Sequence, residues 1–327
     1  MRLPRPPAAV LLEPLRLDWL TQAEVEVAVL RLDRVDPLIT GNKWFKLAPH
    51  LEAATRRGAE GVISLGGPHS NHLHALAAAG HGGAFPCVGL LRGEPQDTPT
   101  VRDLQAFGMQ LHWLGYGGYR ARHQADFWLP WQARYPGLAI VPEGGGGLLG
   151  AQGCGVLLDS LRVQLPAVGW PDYHAWWLAV GTGTTLAGLV LAEGGRHPVY
   201  GALALPAGHG AARQVQAVLG EAGAATDGAG YHLLDACRGG FAKLDTELAQ
   251  FMLDTEAQTG LPLEPLYTAK ALMALRDHVR AGYFAAGSRL VFVHTGGLQG
   301  RRASIARVML LAGRAASYTE SRPAEPG

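Results

Sequence analysis

Ala175-Trp176-Trp177-Leu178-Ala179-Val180-Gly181-Thr182-Gly183-Thr184-Thr185 is an apolar run that ends in a glycine–threonine turn and opens a second apolar segment. Six apolar residues bounded by glycine fit a strand buried on both faces. The glycines let the backbone approach a ligand closely. The first N–H groups of the following helix, with the threonine hydroxyls, suit a phosphate. The loop has neither the lysine of a Walker A motif nor the third glycine of a dinucleotide fingerprint. A monophosphate cradle formed by Thr182, Gly183, Thr184 and Thr185 is one expectation; a tight turn capped by threonine is the other.

The same grammar extends in both directions. Strand-like runs at Val25–Leu32, Gly61–Leu65, Cys87–Leu91, Gln110–Leu114, Leu138–Val141, Val199–Leu205 and Arg289–Val293 flank it. Helical periodicity covers Lys46–Arg57, Asn71–Ala79, Leu149–Val163, Thr185–Glu193, Ala211–Ala222, Leu244–Thr259 and Ala269–Ala281. This alternation predicts α/β architecture, with mainly parallel sheets covered by helices on both faces. Leu65-Gly66-Gly67, Pro142-Glu143-Gly144-Gly145-Gly146-Gly147 and His294-Thr295-Gly296-Gly297 repeat the strand-to-glycine turn. Ligands in open α/β sheets collect at such strand ends, so four of them point to a large anionic ligand or two facing domains. The tail Ser321–Gly327 reads as disordered.

A chain of 327 residues suggests roughly two domains with a substantial core. The formal net charge is +1 and no basic run is long enough to track a phosphate backbone, which argues against nucleic-acid binding. Cys87, Cys154 and Cys237 have neither metal spacing nor disulfide-framework spacing and fit a reducing compartment. The apolar run near the start stops at Glu13, too short for a signal-peptide core, and no later run spans a bilayer. A cytoplasmic protein with no membrane partner is expected.

Lysine occurs only at Lys43, Lys46, Lys243 and Lys270, and two of these fall in Gly41-Asn42-Lys43-Trp44-Phe45-Lys46. All other basic charge is arginine, whose guanidinium cannot form a Schiff base with a carbonyl; a lysine with a lowered pKa can. The alternative is a pair of surface lysines opening a helix. Ser70-Asn71-His72, after Gly66-Gly67-Pro68-His69, starts another helix and offers short polar groups and free N–H groups to a carboxylate. Capping by Ser70 explains the same residues. Without a carboxylate or cysteine at metal spacing, His72 and His74 read as polar lining, and no metal is expected. In Glu264-Pro265-Leu266-Tyr267-Thr268-Ala269-Lys270, Tyr267 suits a cleft and a packed core equally.

In this order, the segments resemble pyridoxal-phosphate enzymes of the tryptophan-synthase β-like fold, fold type II. They are most similar to the D-cysteine desulfhydrase and 1-aminocyclopropane-1-carboxylate (ACC) deaminase family, from about Leu30 to Leu310. The resemblance implies two open twisted sheets, with residues 1–45 and 151–327 as a large cofactor domain and residues 46–150 as a small inserted α/β domain. Lys43 would carry the Schiff base to pyridoxal 5'-phosphate and act as base at Cα, and Lys46 would approach the phosphate held by Thr182–Thr185. Asn71 would bond the pyridoxal 3′-oxygen, and Thr268 would face the pyridine nitrogen. Ser70, Asn71, His72, Tyr267 and Phe241 would surround a small amino-acid substrate, with Ser70 and Tyr267 close to the chemistry. A homodimer is the expected assembly.

Two departures bear on the activity the resemblance implies. Threonine at 268, where the ACC deaminase pattern has a carboxylate, resembles the desulfhydrase branch. Phe241, where the family usually has tyrosine, removes a phenol that opening a cyclopropane ring needs. The expected activity is α,β-elimination giving a 2-oxo acid and ammonia, with sulfide from cysteine. ACC deamination, racemisation and non-catalytic binding of cofactor or amino acid are the alternatives, alongside a nucleotide-binding protein that leaves Lys43 unexplained.

Overall fold

The computed structural model describes residues 1–3, 7–225, 230–240 and 242–314. Phe241 and the tail Ser321–Gly327 lie outside them. The described residues form ten strands: β1 (Leu12–Leu15), β2 (Glu26–Arg31), β3 (Gly61–Gly66), β4 (Cys87–Leu91), β5 (Gln110–Trp113), β6 (Leu138–Ile140), β7 (Ala175–Val180), β8 (Val199–Leu203), β9 (Tyr231–Asp235) and β10 (Arg289–His294). They make a six-stranded sheet in the order β1-β2-β10-β7-β8-β9 and a four-stranded sheet in the order β5-β4-β3-β6. Every pairing is parallel except β1 with β2.

Both faces of each sheet are covered, which is why the central strands read as continuous apolar runs. Successive side chains of β7 point to opposite faces. Trp176 joins the cluster containing Leu157, Leu186 and Val291, and Trp177 joins the one containing Leu272, Met252 and Phe292. Both indoles are fully buried. Each removes roughly 150–250 Å² from water, an upper-bound gain of about 4–6 kcal/mol. Their N–H groups are satisfied, by Glu193 Oε1 at 2.6 Å and the Ala271 carbonyl at 2.8 Å. Val62 and Leu91 face one side of the smaller sheet, and Ile63 and Leu90 the other.

β1 and β9 have no counterpart in the sequence reading. β1 is an edge strand of four residues containing Pro14, a composition that an edge position tolerates because one side of the ladder is unpaired. β9 is the opposite edge, and its tertiary partner β8 supplies the pairing that its mixed composition does not advertise. The helix expected over Leu149–Val163 is two, Gly147–Gly155 and Leu157–Gln164. The first is glycine-rich because its backbone is in close contact with its neighbours. A Cβ on Gly153 would lie 2.0 Å from the Phe45 carbonyl, and one on Gly188 would lie 2.2 Å from that of Ala151. Among the described residues no helix is long and apolar enough to cross a membrane.

Candidate active site

Lys43 lies in the first turn of helix Asn42–Arg56, where the turn after β10 fixes its position. The Asn42 N–H donates to the Thr295 carbonyl at 3.1 Å. Gly41 sits at φ +71°, and a Cβ there would be 2.1 Å from the Thr295 carbonyl oxygen, so only glycine fits. Lys43 Nζ donates to Asn42 Oδ1 at 2.9 Å, and Asn42 Nδ2 donates to Thr185 Oγ1 at 2.8 Å. Burial and the neighbouring charge of Lys46 bring the Lys43 amine down to about 7.

Lys46, one helical turn on, is buried, and burial lowers its pKa as well. Its Nζ approaches Thr182 Oγ1 at 3.5 Å, and Thr182 and Thr184 share a hydroxyl contact of 3.1 Å. Thr184 and Thr185 open helix Thr184–Glu193, whose N-cap Gly183 takes φ +81°. The buried Lys46 amine beside the N-terminus of a ten-residue helix makes a pocket that an anion would stabilise.

Helix Asn71–Gly83 supplies a second wall. Ser70 caps it by accepting from Leu73 N–H at 3.1 Å, so the capping reading of Ser70 holds. His72 is buried, and its Nε2 meets Ser64 Oγ at 2.7 Å while that hydroxyl donates to the Val141 carbonyl at 2.7 Å. Ser64 must therefore accept from His72 Nε2–H. Burial, Lys43 and Lys46 hold the ring neutral, leaving a buried Nδ1 lone pair with no protein partner. That ring borders the glycine turn after β6: a Cβ on Gly145 would lie 3.0 Å from Lys46 Cβ and 3.8 Å from His72 Nδ1. His74 leaves the site instead and pairs with Asp103 at 3.2 Å.

Helix Thr268–Arg280 closes the third side. A Cβ on Gly181 would lie 3.1 Å from the Tyr267 ring, so the phenol packs against the threonine turn. Burial first, then Glu264 and Glu143, push the Tyr267 pKa up and keep the phenol protonated. Glu264 is buried and accepts from the N–H groups of Leu266, Tyr267 and Thr268, yet burial still raises it to about 7. The Thr268 hydroxyl donates to the Glu264 carbonyl at 3.1 Å and accepts from the Glu264 N–H at 2.8 Å.

The family described as pyridoxal-phosphate dependent enzymes matches residues 13–296. The chain belongs to that family. A putative ACC deaminase of Pyrococcus abyssi (strain GE5 / Orsay) is 26% identical over 287 residues, covering 84% of this chain and 86% of the relative. A D-cysteine desulfhydrase of Yersinia pestis (strain Pestoides F) is 26% identical over 288 residues, 83% of this chain and 86% of the relative. The crystal structure of an ACC deaminase homologue superposes with a TM-score of 0.80 at 23% identity, covering 95% of this chain and 96% of that one. The fold is that of fold type II pyridoxal-phosphate enzymes.

The residues present fit such a cofactor. A pyridoxal-phosphate enzyme needs an amine that is neutral near physiological pH, and burial beside Lys46 gives Lys43 that property. It also needs counter-charge for a phosphate, and Lys46, Thr182 and the N-terminus of helix Thr184–Glu193 converge. The sequence assigns no role to Asn42, Ser64, Glu264 or Gln299, although Asn42 and Glu264 stand inside its motifs. Their partners, Thr185, His72, the Tyr267–Thr268 N–H groups and Asn71, come from elsewhere in the fold or require a turn geometry that spacing does not display.

Proposed function

We propose that this pyridoxal-phosphate enzyme is a lyase of the D-cysteine desulfhydrase type, acting on a small amino acid with a β leaving group. The observation that carries the reading is the Lys43 amine, held near neutrality beside a buried second cation. In this assignment Lys43 attaches the cofactor. Lys46, Thr182, Gly183, Thr184 and Thr185 hold its phosphate, Asn71 its 3′-oxygen, and Thr268 lies by the pyridine nitrogen. The bound cofactor supplies the electron sink.

The remaining work falls to the chain's own groups. Lys43 Nζ accepts the Cα proton, and Asn42 Oδ1 holds that nitrogen in place. Ser70 and the N–H groups at the start of helix Asn71–Gly83 take the substrate carboxylate, with His72 as further lining. The Tyr267 phenol, protonated by its surroundings, stands as proton donor to the departing sulfur. For cysteine the net reaction consumes one water and releases pyruvate, ammonia and hydrogen sulfide. Threonine at 268, in place of the carboxylate of the ACC deaminase pattern, supports elimination over ring opening.

The same reading takes residues 1–45 and 151–327, around the six-stranded sheet, as the cofactor domain and 46–150, around the four-stranded sheet, as the inserted one. It also carries a homodimer, supported by Leu149, Val156 and Val163, exposed at seven-residue spacing. A cytoplasmic location is supported by three buried free cysteines.

The test is incubation of the cofactor-loaded protein with D-cysteine, L-cysteine and ACC, with sulfide, 2-oxo acid and ammonia measured. Sulfide and pyruvate in equal amounts from cysteine support the proposal. Turnover of ACC alone, racemisation without ammonia, or a spectral response with no product would each sink it.

A further inference from the structure

Asn71 does not stand alone at the start of its helix. Gln299 Nε2 donates to Asn71 Oδ1 at 2.9 Å, and Thr40 Oγ1 donates to Gln299 Oε1 at 3.3 Å. The three residues come from the segment before Lys43, the helix after β3 and the turn after β10. The turn is shaped for the contact. A Cβ on Gly297 would lie 2.8 Å from Asn71 Nδ2, and one on Gly300 would lie 3.2 Å from Asn71 Oδ1, so both glycines clear space for one amide. Arg302, just beyond, bonds Asp103, which also holds His74 of the Asn71–Gly83 helix. The turn is thus tied to that helix at two points.

The bonds fix a direction as well as a distance. A primary amide presents an acceptor at one end and donors at the other. Gln299 turns its NH2 toward Asn71 and its Oε1 toward the Thr40 hydroxyl. Asn71 then spends its oxygen on Gln299 and keeps Nδ2 as a donor. The reverse orientation of both amides would instead present a carbonyl oxygen and repel an electron-rich ring oxygen.

We infer that Gln299 is a positioning residue that orients the Asn71 amide, so that Nδ2 is the group offered to the ring oxygen of pyridoxal phosphate. The inference rests on the reading of Asn71 given above and adds a residue to which no role has been assigned. Thr40 adds a second bond to Gln299, at its Oε1, and so helps to hold that side chain in place. Gln299→Leu removes the donor at similar size, whereas Gln299→Glu leaves only acceptors and forces Asn71 to turn its NH2 away.

The experiment reconstitutes apo-protein with pyridoxal phosphate and reads two quantities, the cofactor dissociation constant and the pH midpoint of the visible band. It uses Asn71→Ala, Gln299→Leu, Gln299→Glu and the Asn71→Ala/Gln299→Leu double variant. Gln299→Leu should weaken cofactor binding by about five- to tenfold, the scale of one hydrogen bond. It should also move the band's midpoint in the same direction as Asn71→Ala, with Gln299→Glu moving it further. In the double variant the Gln299 change should add nothing, because its effect passes through Asn71. An unchanged midpoint in both Gln299 variants, or full additivity, would overturn the role of Gln299 while leaving Asn71 in place. No spectral change in Asn71→Ala would overturn the reading of Asn71 itself. Apo-protein melting separates these effects from damage to the fold. If the Gln299 variants do not fold, Thr40→Val carries the same test, with a smaller shift in the same direction expected and no shift overturning the inference.

Discussion

Lys46 Nζ and Thr182 Oγ1 lie 3.5 Å apart although 136 positions separate them in the chain. The contact joins the helix that carries Lys43 to the turn after β7, and it puts a buried cation at a helix N-terminus already lined by hydroxyls. A cation there without a counter-anion is costly, so the pocket is built to be filled.

Lys46→Met should therefore weaken pyridoxal phosphate binding by about 10- to 100-fold, the range of one charge-assisted hydrogen bond. Spectrophotometric titration of apo-protein measures it. A change under twofold would show that the phosphate lies elsewhere.

Lys43→Ala should abolish the covalent cofactor attachment and lower turnover by roughly 10²–10⁴-fold, the usual contribution of a positioned base. Borohydride reduction followed by peptide mass mapping should label the Lys43 peptide in the unmodified protein and no lysine in the variant. A label on Lys46 or Lys270 would refute the assignment.

The low pKa of Lys43 has a stability signature in the apo-protein. Between about pH 7 and the ordinary lysine value the unfolded chain binds a proton that the folded chain does not. Stability from this group is greatest above the unfolded pKa, falls as pH drops through that window, and levels off below about 7. The slope inside the window has a ceiling of about 1.4 kcal/mol per pH unit, and the partial exposure of Lys43 narrows the window. Denaturant midpoints at pH 7, 8 and 9 should rise less steeply in Lys43→Met. In Lys46→Met, which removes a like charge, the lower limit of the window should move up. Parallel slopes in all three proteins would contradict the account.

Lys270 is a structural counterpart to this pair. Its buried Nζ donates to the carbonyls of Cys237 at 2.9 Å and Gly240 at 2.8 Å. Lys270→Met leaves both oxygens without that donor and should cost about 2–5 kcal/mol. Thermal melting should drop by about 3–7 °C. A shift within one degree would mean that the turn holds its shape unaided.

Much of the architecture is legible in the sequence. β7 and β10 announced themselves because a strand buried on both faces must be apolar at every position, and glycine must follow where the chain turns into a helix. Edge strands β1 and β9 escaped notice because half of their environment is a partner strand or solvent, which leaves a weak pattern. The Leu149–Val163 helix divides at Val156, whose backbone stays in the right-handed helical region, after a segment whose glycines Gly150 and Gly153 serve close packing.

For the site, the residue types and their order along the chain were already in the sequence: two lysines in a chain of arginines, a glycine–threonine turn, a serine–asparagine helix start. What only the tertiary structure decided is which groups act on which. The Lys43 amine titrates near 7 because burial and Lys46 surround it, the His72 tautomer follows from Ser64 and Val141, and the Asn71 amide is turned by Gln299. Side-chain identity is local, whereas desolvation, charge proximity and hydrogen-bond direction depend on neighbours that folding brings from remote parts of the chain.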